Sequence, residues 1–140
     1  PLSTGRVTTI TRLSTCESTF NAMVVASHLL VPVQMEGLSV NGLAAVLSAM
    51  EEVKNGRFAL NRELELLGLL PVMLDERPRI VRSAMEYLRE NYGDKVLSHG
   101  IRRCVKVNES QTEMKDLYHY APYCTAAIDY EMVINELFKI

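Results

Sequence analysis

The chain has 140 residues, with 15 Lys+Arg against 17 Asp+Glu and a formal net charge of -2. An apolar share of 48% is enough for one domain-sized core and excludes intrinsic disorder as the main state. The near-neutral charge excludes a strongly basic nucleic-acid grip and leaves only a local basic patch for such a role.

The longest apolar run, around Leu29 to Val33, is far too short to span a bilayer, so no membrane partner is expected. No charged, apolar and small-residue succession of a signal peptide opens the chain, and it begins at Pro1 rather than Met, as expected of a processed or truncated piece. Cys16, Cys104 and Cys124 stand at long, unrelated spacings and fit neither a disulfide framework nor a zinc knuckle. A reducing cytoplasm is the expected location.

Pro1 to Arg12 is rich in Thr, Ser and Gly, with a short edge strand expected within Val7 to Thr11. The expected division is therefore an irregular or edge-strand segment over 1–13 and a folded α/β part over 14–140. Ser14-Thr15-Cys16-Glu17 has the form of a capping box, and Phe20, Met23, Val24 and Ser27 follow at helical spacing. Leu29-Leu30-Val31-Pro32-Val33 reads as a strand covered on both faces, with Pro32 near its end. From Ser39 to Val53 a stripe of Val40, Leu43, Ala44, Leu47, Met50 and Val53 predicts a helix stopped by Asn55-Gly56. Leu66 to Leu74 is a second strand-like run, containing Pro71.

Pro78 suits the first turn of a helix whose buried face is Ile80, Val81, Ala84, Met85 and Leu88, ending at Asn91-Tyr92-Gly93. Lys95 to Ile101 is expected to be a third, shorter strand, and Arg102 to Tyr123 a loop with short extended pieces. Thr125 to Phe138 predicts a last amphipathic helix through Ala126, Ala127, Tyr130, Val133, Ile134 and Leu137. Alternating strands and helices imply an α/β fold, a mostly parallel sheet with flanking crossover helices.

Ligands of such sheets collect at the carboxyl ends of the strands. The residues placed there are Gln34, Met35 and Glu36; Asp75, Glu76, Arg77 and Arg79; and Arg102, Arg103 and Lys106. Catalytic chemistry has little support. His28, His99 and His119 lack a nucleophile at a defined turn, and there is no G-x-S-x-G, so structural histidines are the simpler reading. Asp75-Glu76 is better read as acidic residues entering a helix than as a catalytic pair. Gly37, Gly42, Gly56 and Gly68 are isolated, and these residues contain no G-x-x-x-x-G-K-S/T phosphate loop. The basic group Arg77, Arg79, Arg82, Arg102, Arg103 and Lys106 fits either a solvated rim or contacts to phosphate.

His28-Leu29-Leu30-Val31-Pro32-Val33-Gln34-Met35-Glu36, followed by Leu38, Gly42 and Leu43, resembles "D-x-V-L-V-P-V-Q-P-E" and then "G-L" of the ParA/Soj family of chromosome- and plasmid-partition ATPases. Leu67 to Arg77 resembles its "L-G-I-L-L-T-M-Y-D-x-R" and Tyr92 to Val96 its "F-G-D-K-V". Ile101 to Ser110 resembles its "I-P-R-N-V-R-L-S-E-A". The blocks keep order and spacing from about Phe20 to Leu137.

This resemblance implies the C-terminal half of a Rossmann-like, deviant-Walker P-loop fold, with the N-terminal half missing. In the intact family it implies ATP and Mg as cofactors, ATP-dependent dimerisation, non-specific DNA binding and a ParB-like centromere-binding partner. Arg77 and Arg103 fall on DNA-surface positions, and Ile101, Arg102, Arg103, Cys104 and Val105 on the loop near the nucleotide base. Arg102 replaces a proline, Cys104 an asparagine, and Val72 stands where the family has a polar residue. Gln111 and Met114 stand where the family has proline and glycine. Ile10-Thr11-Arg12-Leu13 occupies the place of the Walker B "D-x-P-P". No cofactor, no metal and no catalytic residue is therefore assigned to these residues, which are expected to be inactive alone and to self-associate. The alternative is a non-enzymatic α/β interaction module that has lost nucleotide binding.

Overall fold

The structure, a computed structural model, describes residues 7–9, 17–35, 40–74 and 78–139. Strand β1 (Val7–Thr9), helix α1 (Glu17–Val25), strand β2 (His28–Gln34), helix α2 (Val40–Asn55) and strand β3 (Glu65–Leu74) follow one another. Helix α3 (Pro78–Tyr92) leads through a 3-10 turn, Gly93–Lys95, to strand β4 (Ile101–Arg102) and then to helices α4 (Val105–Thr112), α5 (Leu117–Tyr120) and α6 (Thr125–Phe138). The described strands lie in the order β1-β2-β3-β4, with β1 parallel to β2 and β3 parallel to β4. This is the α/β arrangement of strands and flanking helices that the alternating pattern implied. Ser14, Arg77 and the Glu36, Asp75 and Glu76 positions lie outside the described residues.

The chain forms two compact units. The first holds β1, β2, α1, α2 and β3 as far as Leu69. Leu29, Leu30, Val31 and Val33 of β2 are all buried, so both faces of the strand are covered, as a continuous apolar run requires. Met23 from α1, Leu43, Val46 and Val53 from α2, and Leu64 and Leu69 complete this core. Helices α1 and α2 pack on each other. A Cβ on Gly56 would collide with the Glu52 carbonyl oxygen, so α2 can close as it does only with glycine there. The Asn61 amide donates to the carbonyls of Met23 (2.9 Å) and Ala26 (2.6 Å), satisfying acceptors that the end of α1 leaves open.

The second unit holds Gln34 and Met35, β3 from Leu70 onward, and everything after it. Its core comprises Leu70, Leu88, Val96, Leu97, Ile101, Ala126, Ala127 and Val133. Two expectations fail here. The third strand is not Lys95 to Ile101: Gly93–Lys95 is a 3-10 turn, and the strand itself is only Ile101–Arg102. The reason is that side chains take the backbone donors a longer strand would have used. Ser98 N–H (2.6 Å) and His99 N–H (3.0 Å) donate to Glu136, and within β4 itself Arg102 N–H (2.9 Å) donates to Asp129. Arg102 to Tyr123 is not loop either, since α4 and α5 occupy much of it. The Asp116 carboxylate caps α5 by accepting from His119 N–H at 3.0 Å. The Tyr120 hydroxyl donates to Glu109 at 3.0 Å, tying α5 to α4.

Candidate functional site: the carboxyl ends of β3 and β4

Val72 pairs with Ile101 and Leu74 with Arg102, so Met73 is one residue too many on β3. It adopts a left-handed backbone, φ 55°, and is 47% exposed. A non-glycine residue there is strained by about 1–3 kcal/mol, a feature that clusters at functional sites. Ladder bonding resumes beyond the bulge, where Arg103 N–H donates to the Leu74 carbonyl at 2.9 Å. On the other side of β3, Met35 N–H donates to the Val72 carbonyl at 3.3 Å.

The bulge opens a cavity of about 310 Å³, lined by Val72, Met73, Ile101, Arg102, Arg103, Cys104, Val107, Asn108 and Tyr130. Its size is at the small end for a ligand pocket. Four of the five residues expected near a nucleotide base, Ile101, Arg102, Arg103 and Cys104, therefore share one wall of one cavity. The fifth, Val105, begins α4 and is 69% exposed. Val72 also lines the cavity, Arg103 is exposed, and Arg77 lies outside the described residues.

Arg102 is committed to Asp129. Its Nε donates at 2.9 Å to Oδ2 and its Nη2 at 2.7 Å to Oδ1, a two-pronged pairing. Hydrogen bonding to Asp129 holds the guanidinium pKa above its ordinary value. Burial alone would push the Asp129 carboxyl up, but the Arg102 side chain and backbone N–H hold it below its ordinary value. Sequence reasoning missed Asp129, Asn108 and Tyr130. The signal for Asp129 was present: it lies three residues after Ala126 and four before Val133, on the buried face of α6.

A second cavity, about 440 Å³, is lined by Arg89, Gly93, Asp94, Val96, Ser98 and Glu136. Glu136 also meets His99 Nδ1 at 2.8 Å. Burial raises the Glu136 carboxyl, and the Ser98 and His99 donors overcome this and hold it below its ordinary value. The other histidines have local partners. His28 Nδ1 lies 3.0 Å from Ser27 Oγ at the amino end of β2, and His119 Nδ1 lies 2.6 Å from Asp116 on exposed α5. The His28–Ser27 pair sits at the end of its strand opposite to that where ligands of such sheets collect. No group of three His, Cys, Asp or Glu that could hold a metal ion occurs among the described residues. No helix among them is long and apolar enough to cross a membrane.

No protein-family model matches the chain. Against curated proteins, it is 34% identical over 119 residues to the chromosome-partitioning ATPase Soj of Thermus thermophilus. Over the same length it is 30% identical to the chromosome partitioning protein ParA of Caulobacter vibrioides and 30% identical to the sporulation initiation inhibitor protein Soj of Bacillus subtilis. The chain is a homologue of the ParA/Soj partition ATPases. Each match covers 85% of the chain but 47%, 43% and 46% of the relative, so the chain spans about half the length of the curated ParA/Soj relatives it matches. It aligns with their C-terminal part.

Solved structures agree on the fold. Cobyrinic acid a,c-diamide synthase from Mycobacterium smegmatis, with bound ATP analog and magnesium, superposes with a TM-score of 0.65 at 25% identity, covering 85% of this chain and 41% of the other. Apo McdA from Cyanthece superposes with a TM-score of 0.63 at 14% identity, covering 80% of this chain and 46% of the other. The ParA/Soj-like, P-loop-type α/β fold is thus supported by sequence and by backbone.

Proposed function

We propose that these residues form the base-side part of a ParA-like partition ATPase, whose activities are ATP-dependent dimerisation and non-specific DNA binding. In this reading Ile101, Arg102, Arg103, Cys104 and Val105 lie beside the nucleotide base, and Arg77 and Arg103 face DNA. A centromere-binding protein of the ParB type is the expected partner, and the cytoplasm the expected location. The observation that carries the reading is the 119-residue match to partition ATPases. Support comes from the cavity at the carboxyl ends of β3 and β4, which Ile101 to Cys104 help to line. The cobyrinic acid a,c-diamide synthase of similar fold carries an ATP analog and magnesium.

ATP binding needs converging main-chain amides at the phosphates as well as a base pocket. These 140 residues contain no G-x-x-x-x-G-K-S/T, so by themselves they neither bind nor hydrolyse ATP. Calorimetric titration with ATP and magnesium is expected to give no binding heat, and micromolar affinity overturns this. DNA binding is tested by gel shift of the double variant R77A/R103A across a salt series. Affinity is expected to fall without sequence preference, and the salt slope to shrink by about 0.9 for each phosphate that is no longer neutralised. An unchanged slope removes both arginines from the DNA surface.

A second reading, a non-enzymatic interaction module, draws on the replacements at Arg102 and Cys104 and on the Arg102–Asp129 pairing. It requires self-association without any response to nucleotide. A dimer that forms only with ATP present excludes it.

A further inference from the structure

Strand β4 ends the described sheet, and the amides at its end go different ways. Arg103 N–H continues the ladder to the Leu74 carbonyl of β3 at 2.9 Å. Arg102 N–H donates instead to Asp129 Oδ2, also at 2.9 Å. At the edge of a sheet such a donor otherwise has no partner in the ladder. The same carboxylate takes the end of the Arg102 side chain, Nε at 2.9 Å on Oδ2 and Nη2 at 2.7 Å on Oδ1. Backbone and side chain of one residue thus close on one acceptor group, and Arg102 cannot turn about its backbone without breaking a forked ionic pairing.

Asp129 is well placed to act as an anchor. It is buried in the middle of α6, and α6 packs on β4. Burial raises its carboxyl, but the Arg102 side chain and backbone donors outweigh burial and keep it ionised. Arg102 stands where the ParA/Soj family has a proline. A proline fixes φ and carries no N–H, and the edge of a sheet is where it costs least. Arg102 brings both a rotatable φ and an N–H, and Asp129 restrains the one and satisfies the other.

We propose that Asp129 is a positioning residue: it holds Arg102 and through it sets the path of Ile101 to Cys104, one wall of the cavity of about 310 Å³, doing by ion pair what the family's proline does by its ring. The service of this wall to a nucleotide base rests on the placement proposed above; the hold of Asp129 on the wall does not. Because Arg102 is engaged by α6, it braces the wall rather than gripping a phosphate. Tyr130, the next residue of α6, lines the same cavity, so one helix both anchors the wall and contributes to the site. A wall tied to a buried helix position keeps its shape before a ligand arrives, which is the preorganisation that a binding site needs.

Amide hydrogen exchange of the whole chain, followed residue by residue by NMR, tests this without any nucleotide. In the unsubstituted chain Arg102 and Arg103 are expected to show matching protection, because the Asp129 bond and the ladder bond open together. In D129A, exchange at Arg103 is expected to rise roughly 10- to 100-fold beyond any rise at Leu88 of α3 and Val133 of α6, since bonds to a charged group are lost. A loss of overall stability alone raises all three alike. In R102P/D129A, slow exchange at Arg103 is expected to return, since proline leaves no donor unpaired and fixes the backbone again. Arg103 exchange in D129A that only follows Leu88 and Val133, or that stays fast in R102P/D129A, overturns the proposal. So does free exchange of Arg102 beside a protected Arg103 in the unsubstituted chain, a result that stands even where a variant fails to fold. A nucleotide found to bind elsewhere removes the base-side reading and changes none of these outcomes.

Discussion

Asp129 is 5% exposed, and a carboxyl group so placed would ordinarily favour its neutral form. Two donors reverse that preference, the Arg102 guanidinium and the Arg102 backbone N–H. The folded-state pKa is therefore lower than the unfolded one, and the sign of the pH effect follows. The stabilisation is complete above the unfolded carboxyl value, about pH 4, and is lost as pH falls through the folded value. Glu136 behaves alike through Ser98 and His99. D129N keeps an acceptor for the backbone N–H but gives up the charged pairing. It is expected to lower stability near neutral pH by about 1–3 kcal/mol and to flatten the acid limb. Urea unfolding at a series of pH values checks this, and an acid limb identical to that of the parent chain assigns the effect elsewhere. The residue was half-legible in the sequence: its place on the buried face of α6 follows from helical spacing, but its partner, 27 residues earlier, does not.

At the scale of elements, β4 shows how a weak strand is kept in place. It has two residues, too few to hold itself by a ladder, and α6 holds it through Asp129 at Arg102 and holds the chain just before it through Glu136 at Ser98 and His99. Asp129 and Glu136 are seven residues apart, two helical turns, and so share one face. The same segment approaches β3 closely at Gly100. A Cβ there would lie 2.7 Å from the Pro71 carbonyl oxygen and 2.9 Å from Leu74 Cδ1. G100A is expected to destabilise by about 1–3 kcal/mol, because β3 backbone must shift to admit it. A urea midpoint equal to that of the parent chain shows that β3 yields without cost.

Strongly periodic elements, α3 above all and with it α2 and α6, were readable because an apolar stripe at helical spacing is a local property. The Arg102–Tyr123 helices were not. The sequence Val105-Lys106-Val107-Asn108 mixes β-branched and polar residues without a stripe, and the Cys104 that precedes α4 is no usual cap. Asp116 three residues before His119 was the one usable sign of α5, a carboxylate at a cap position.

For the whole molecule, the described sheet ends at β1 on one side and β4 on the other, and strands that end a sheet offer unpaired donors and acceptors to a second chain. Self-association is the expected consequence, and a net charge of only -2 offers little repulsion against it. Light scattering is expected to give about twice the chain mass of 15.8 kDa, and a monomer at every concentration tested refutes this.

The amino-acid sequence by itself determined the alternation of strands and helices, the doubly covered β2, the boundaries of α6 and the resemblance to ParA/Soj proteins. Each of these is written in neighbouring residues or in short blocks in register. Tertiary structure alone decided the Met73 bulge, the cavity it opens, and the hold of Asp129 on β4 and of Glu136 on the residues just before it. Those features join residues 27 to 58 positions apart. Their geometry depends on how strands and helices pack, which no local spacing encodes.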